Sequence, residues 1–297
     1  MQGTAVRSKC QVVSAAAILA TAVLATTVGA AGAAASTVDK KAAALVPAAI
    51  AKKGTVTVAA DATYAPNEFI GSNGHTVIGM DADLANAIFP LLGLKVNIVN
   101  ATFATIIPGL VSGKFDVGMS SFTDTKAREK QVNFVDYFEA GTSFFEKSSG
   151  GPAVTNLASI CGLKVSVESG TTEQSDATGQ ATKCKAAHKT PDTVLSFNTQ
   201  AEANLALSSG RAQVGMADSP VAAYQVKQSH GEFKLVGQSY GVAPYGIAVP
   251  KQDGTLDKAI LAALQDLEAN GRYIAILKKW GIQSGADTHP ALNGATS

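Results

Sequence analysis

"DVGMSSFTDTKAREK", Asp116 to Lys130, sets a short apolar run, Val117 to Met119, directly ahead of two serines, two threonines, an acid and Arg128. A brief apolar run bounded by turn-forming residues is the pattern of a buried strand, with the polar cluster at its carboxyl end. In open α/β sheets, ligands bind beyond the carboxyl ends of the strands, where loops and helix starts converge. Arg128 has two readings here. It is either a ligand-facing guanidinium or a solvated charge on a short helix beside Lys126 and Lys130.

The same grammar extends in both directions. Upstream, "TVTVAAD" from Thr55 reads as a strand, and "GMDADLANAIFPLLGL" as a helix with Asp81 as its cap and Gly93 as its stop. "KVNIV" is a strand and "FATIIPGLVSGK" a helix. Downstream of "EKSSGGP" the rhythm restarts with the strands "GLKVSVESG", "TVLSF" and "AQVGMADS". Helices fall between them, and "PVAAYQVKQ" carries Pro220 in its first turn, where the missing N–H costs nothing. "YGVAPYGIAVPK" resumes extended structure, and "LDKAILAALQDLEANGRYIAILKKWG" closes with two helices. Alternating strands and helices imply parallel βαβ units in two similar lobes, although no strict repeat is present. Four polar clusters fall at equivalent strand ends: Asp61 to Tyr64, Ser120 to Thr123, Glu168 to Glu173, and Asp218 with Ser219.

Composition bounds the function. The chain has 297 residues, a formal net charge of +1 and 16% charged residues, which supplies no basic patch for nucleic acid. That length favours two lobes, each with its own core. Arg7 and Lys9 precede an uncharged run, Val12 to Ala35, that ends in "AGAAAST"; this is the build of a secretory signal peptide over residues 1–35. A membrane anchor is the alternative, since about 20 apolar residues span a bilayer, but alanine and glycine make a weak one. Cys10 would leave with the signal. Cys161 and Cys184 remain as an even pair in an exported chain, for which a disulfide is the leading reading and two buried thiols the other. His75, His188, His230 and His289 are scattered without ligand spacing, so no metal or cofactor is expected, and no "GxSxG" elbow marks a hydrolase. Residues 284–297 lack an apolar period and read as a flexible tail.

Taken in order, "VAADATYAPNEF", "GMDADLANAI", "FATIIPGLVSGKFDVGMSSFTDTKAREKQVNFVDYF", "VSVESGTTEQ", "VGMADSPVAAY" and "PYGIAVPK" resemble the extracytoplasmic solute-binding proteins of polar amino-acid ABC transporters, family 3. The resemblance spans about Gly54 to Gly281. It implies an α/β, two-lobed type II periplasmic-binding (Venus-flytrap) fold with two hinge crossovers, near residues 141–145 and 241–246. Lobe 1 would comprise 54–143 and 244–283, lobe 2 would be 144–243, and 36–53 would be a linker.

The resemblance also implies roles. Arg128 matches the arginine that holds a ligand α-carboxylate, and a guanidinium fork suits that task in a way lysine does not. Asp218 matches the acceptor of the α-ammonium, with Ser120, Ser121 and Thr123 opposite; capping the helix at Pro220 is its plainer role. Following Gly170, itself expected at the ligand, Thr171 and Thr172 would complete the carboxylate cradle with their backbone N–H groups, an ordinary helix cap being the plainer role. Asp61, Tyr64, Phe103 and Glu168 would face the ligand side chain. Glu168 pointing to solvent or pairing with a lysine is the alternative. Two carboxylates facing one pocket repel unless a cation joins them, which favours arginine, lysine, ornithine or histidine over glutamine or another polar amino acid. The expected protein is a monomeric binder, not an enzyme, that serves a membrane permease from the periplasm, or by secretion from a single-membrane cell. The rival is a cyclohexadienyl dehydratase-like enzyme using Glu168 or Glu173 as acid.

Overall fold

A computed structural model describes residues 37–295; the expected signal segment, with Cys10, lies outside the described residues. The short helices α1 (Lys40–Ala43) and α2 (Ala48–Lys53) tuck Ala42, Val46 and Ile50 into the first core, so the linker is docked on the fold it precedes. The strands are β1 (Thr55–Ala60), β2 (Thr63–Tyr64), β3 (Glu68–Ile70), β4 (Val77–Ile78), β5 (Lys95–Asn100), β6 (Val117–Gly118), β7 (Val132–Lys147), β8 (Lys164–Glu168), β9 (Thr193–Phe197), β10 (Val214–Asp218) and β11 (Phe233–Pro250). Between them run α3 (Met80–Leu91), α4 (Phe103–Val111), α5 (Lys126–Glu129), α6 (Thr172–Ala186), α7 (Gln200–Ser208) and α8 (Ser219–Gln228), and α9 (Leu256–Ala269) and α10 (Arg272–Trp280) follow.

In α3, Met80, Leu84, Ala87, Ile88 and Leu91 share one face and are buried, which is what their spacing dictates. Its start corrects the sequence reading. Gly79 is the N-cap, at φ 132°, where a Cβ would lie 2.1 Å from the Asn67 carbonyl oxygen. The expected cap, Asp81, instead turns its carboxylate inward.

Eight strands form one sheet in the order β5-β1-β6-β11-β7-β10-β8-β9. β1 runs parallel to β5 and β6, and β8 runs parallel to β9 and β10. The two halves are joined by β7 and β11, which pair antiparallel along most of their length. Each half buries its own apolar clusters, Val58, Leu84, Ile88 and Ile260 on one side and Phe144, Val165, Val167 and Met216 on the other. At about 1.5–3 kcal/mol per fully buried large side chain, either set is a substantial core. The β7–β11 ladder breaks register between Val236 and Tyr240, between Tyr240 and Ala243, and at Tyr245/Gly246. Such irregularities are where paired strands bend.

Cys161 and Cys184 form a disulfide, Cα–Cα 5.8 Å, that ties the segment before β8 to the last turns of α6. The segment expected to be a loose tail is bonded along β7 as far as residue 295. Ala286 and Leu292 bridge to Phe138 and Val135, and the Phe134 N–H donates to Asn293 Oδ1 at 2.8 Å. Backbone bonds rather than apolar periodicity hold it, so the sequence pattern is silent there. Among the described residues, no helix is long and apolar enough to cross a membrane.

Candidate functional site

All the ligand-contact residues expected from the sequence except Gly170 line one pocket between the two halves of the sheet, and Glu173 joins them. α5 positions Arg128. Thr125 caps this single turn by accepting the Arg128 N–H at 3.2 Å. The guanidinium donates through Nη1 to the Thr123 carbonyl at 2.7 Å and through Nη2 to the Gly170 carbonyl at 3.0 Å. It also lies 5.4 and 5.5 Å from the ring centroids of Phe103 and Phe122, which stack on each other at 4.5 Å. Arg128 is therefore half-buried and fixed, not a free surface charge, and burial lowers its pKa.

Gly170 serves differently from expectation. At φ +83° it lies against the other half of the molecule, where a Cβ would sit 3.1 Å from the Ala104 Cβ, and its carbonyl joins Arg128 across the gap. Thr171 caps α6 by accepting the Gln174 N–H at 3.1 Å. The first-turn N–H groups of α6 have no acceptor within the helix, which suits them to an anion.

Asp218 ends β10 and stands at the N-cap of α8, yet its side chain makes no cap bond. It accepts instead from the Tyr64 hydroxyl at 2.8 Å, while its N–H donates back to that oxygen at 3.2 Å. Tyr64, expected to face a ligand side chain, also bridges the two halves by its phenol. Burial, then the charge of Glu173, pushes the Asp218 carboxyl well above its usual range. Glu173 accepts from the hydroxyls of Thr142 at 2.8 Å and Thr172 at 3.2 Å.

At the other end of the pocket Asp61 accepts from the Thr63 hydroxyl at 2.7 Å and the Phe103 N–H at 3.0 Å. Glu168, at the end of β8, is 1% exposed and faces Asp61, so neither solvent nor a lysine is its partner. Burial and then Asp61 push its pKa up to about 10.

Ser120 and Ser121 line the pocket, but their hydroxyls are committed behind it. Ser120 Oγ accepts the Asp61 N–H at 2.9 Å and donates to Glu68 at 3.0 Å. Ser121 Oγ donates to Glu68 at 3.1 Å and accepts from Asn67 at 2.9 Å. The Ser121 N–H and the Tyr137 hydroxyl donate to Asp81 at 2.9 and 2.6 Å. Sequence reasoning gave Glu68 no role and read Asp81 as a cap; both lie inside motifs it quoted, "PNEF" and "GMDADL".

The pocket thus brings four acids, Asp61, Glu168, Glu173 and Asp218, against one arginine. Its walls leave about 10 Å³ to water-sized occupants, about one water, so the two halves close on one another here with no room for a larger molecule. A larger cavity of about 530 Å³ lies beside the hinge strands, but Glu139 and Lys227 are the only charged residues in its lining. Converging polar groups, not size, identify the candidate site. Among the described residues, no group of His, Cys, Asp and Glu is arranged to hold a metal ion.

Comparison with known proteins identifies the family of the chain. The chain is 35% identical over 243 residues to the arginine-binding protein ArgT of Corynebacterium glutamicum, covering 82% of this chain and 79% of that one. It is also 35% identical over 207 residues to the glutamine-binding protein GlnH of Bacillus subtilis, covering 68% and 72%. Structures of an ancestral arginine-binding protein, bound to arginine and bound to glutamine, superpose with a TM-score of 0.71 at 37% identity, covering 77% of this chain and 98% of theirs. Residues 56–283 match the family of bacterial extracellular solute-binding proteins, family 3, and the chain belongs to that family.

Proposed function

We propose that the protein binds a cationic amino acid, arginine, lysine, ornithine or histidine, outside the cytoplasmic membrane and presents it to an ABC permease. The observation that carries this is the charge balance of the cleft: four carboxyl groups line it with a single guanidinium. Arg128 is spoken for by the ligand α-carboxylate, and Asp218 by the α-ammonium. Glu173 is engaged by the Thr142 and Thr172 hydroxyls, so Asp61 and Glu168 are left for a second positive charge. Charge-assisted bonds of this kind contribute about 1.5–3 kcal/mol each, and more strongly in a closed, water-poor cleft than at a surface. Closure bends β7 and β11 where their ladder is interrupted, with lobe 1 formed by 54–143 and 244–283 and lobe 2 by 144–243.

Binding rather than turnover is the reading, because the relatives compared above are named as binding proteins and a prephenate-like substrate has no ammonium for Asp218. The family's extracellular character and the signal-like first 35 residues support export, to a periplasm or by secretion. Thermal-shift screening against the twenty amino acids, ornithine and citrulline tests the proposal. A cationic ligand at a hundredfold excess over Kd should stabilise the protein by about 2.7 kcal/mol. A shift with glutamate or aspartate alone refutes the cationic assignment, and no shift with any refutes the function. Arg128→Ala should abolish the shift while circular dichroism shows an intact fold.

A further inference from the structure

The side-chain end of the cleft holds two carboxyl groups and lacks a donor for one of them. Glu168 is almost wholly buried, and no donor among the described residues reaches its Oε1. It shares the pocket lining with Asp61, and each carboxyl acts on the ionisation of the other, while Asp61 already accepts from Thr63 and Phe103. Two carboxylates are acceptors only and cannot satisfy each other; a single proton makes one of them a donor and completes the pair.

The surroundings keep that proton in place. Glu173 on α6 and Asp218 at the end of β10 are further acids toward Glu168, and any charge on them opposes its ionisation. Tyr64 on β2 is a neutral phenol engaged with Asp218. Arg128 is turned to the carbonyls of Thr123 and Gly170, and Arg211 lies on the ring of Phe197, the residue paired with Glu168 in β9.

We propose that Asp61 and Glu168 share one proton that a cationic ligand side chain displaces and a neutral amide side chain keeps, so that arginine binding releases a proton, glutamine binding does not, and rising pH favours arginine. This rests on the amino-acid-binding function proposed above and adds a proton to it. When a guanidinium enters, the proton leaves for solvent. The ligand N–H groups then donate to both carboxylates, and the local charge stays at one negative unit. When an amide enters, its carbonyl needs a donor, and the protonated carboxyl supplies it. Burial and the facing acid put the titration of Glu168 well above neutrality, so the proton is present in the physiological range. One exchanged proton changes the arginine-to-glutamine affinity ratio by about tenfold per pH unit.

Isothermal titration calorimetry in phosphate and in Tris, whose ionisation enthalpies differ, counts the protons. For each of arginine and glutamine, the dependence of observed enthalpy on buffer ionisation gives the number released. The Asp218 end contributes equally to both ligands and cancels in the difference. The expected result is one more proton released with arginine than with glutamine, and an affinity ratio rising about a hundredfold from pH 6 to pH 8. Glu168→Gln, and independently Asp61→Asn, should each bring the difference to near zero. Equal release with both ligands, or a difference that survives in both variants, overturns the proton exchange and leaves amino-acid binding standing. Absence of heat with either ligand and with every other amino acid overturns the binding function itself.

Discussion

Glu68 with Asp81, and Asp61 with Glu168, are both pairs of buried carboxyl groups, and Ser120 links them by donating to Glu68 while accepting the Asp61 N–H. The first pair is surrounded by donors of its own lobe: two serine hydroxyls, a backbone N–H and the Tyr137 hydroxyl. The second spans the cleft and leaves Glu168 Oε1 without a protein donor. Burial raises the carboxyls of both pairs, Glu68 well above its usual range and Asp81 to about 6 in the first, Asp61 upward and Glu168 to about 10 in the second. The pairs therefore differ in their donors and not in the direction of their shifts. Residue type is the same in the two pairs; donor supply is what differs, and under the function proposed above the undersupplied acid is the one left to meet a ligand.

Removing a donor from the satisfied pair should cost stability at neutral pH. Tyr137→Phe strands Asp81 Oδ1, a loss of about 1–3 kcal/mol, or about 2–4 °C of Tm per kcal/mol for a chain of this size. Arginine affinity in the folded variant should stay within about twofold. If affinity collapses while Tm holds, the division of labour between the pairs is wrong.

A change that depends on pH should follow from the unsatisfied pair. The folded state holds the Glu168 proton more tightly than the unfolded chain does. The stability it contributes is therefore complete below pH 4.5 and is lost as pH rises toward 10. The ligand-free protein should lose Tm steadily between pH 6 and pH 9, and Glu168→Gln should lose less; parallel curves would remove Glu168 from the account.

The smallest effect belongs to a third pair at the strap formed by the last residues. Asp136 accepts the Gly294 N–H at 2.9 Å and Asp124 the Ala295 N–H at 3.1 Å. Burial and then Asp124 push Asp136 up to about 7. Its contribution is full below about pH 4 and fades as pH passes 7, so Asp136→Asn should flatten the Tm profile slightly between pH 5 and pH 8. Native-state hydrogen exchange in which the protection factors of Gly294 and Ala295, corrected for the intrinsic rise of exchange with pH, fall above pH 7 only in the wild type would place the effect at the strap.

Most of the cleft was legible because its residues sit at strand ends, and period and punctuation reveal strand ends. Arg128, Asp218, Asp61 and Glu168 each follow an apolar run that folds as β6, β10, β1 and β8. Glu68 was overlooked and Asp81 misassigned because their roles depend on partners 40 to 56 positions away, at Ser120, Ser121 and Tyr137. Glu173 was considered only as an acid for the rival enzyme, since its place beside Asp218 depends on how α6 meets the crossover at Thr142. The strap went unread for a related reason: backbone N–H groups carry no side-chain signature.

The sequence by itself determined the alternation of strands and helices, the two halves, the pairing of Cys161 with Cys184 as the leading reading, and the strand ends where ligand chemistry gathers. Those are consequences of local periodicity and covalent order. Tertiary structure alone decided which acid obtained donors and which did not, and that Tyr64 reaches Asp218 and Arg128 reaches Gly170 across the cleft. A carboxyl group's charge is set by the dielectric and the donors around it. Those come from segments distant in sequence and exist only once the chain has folded.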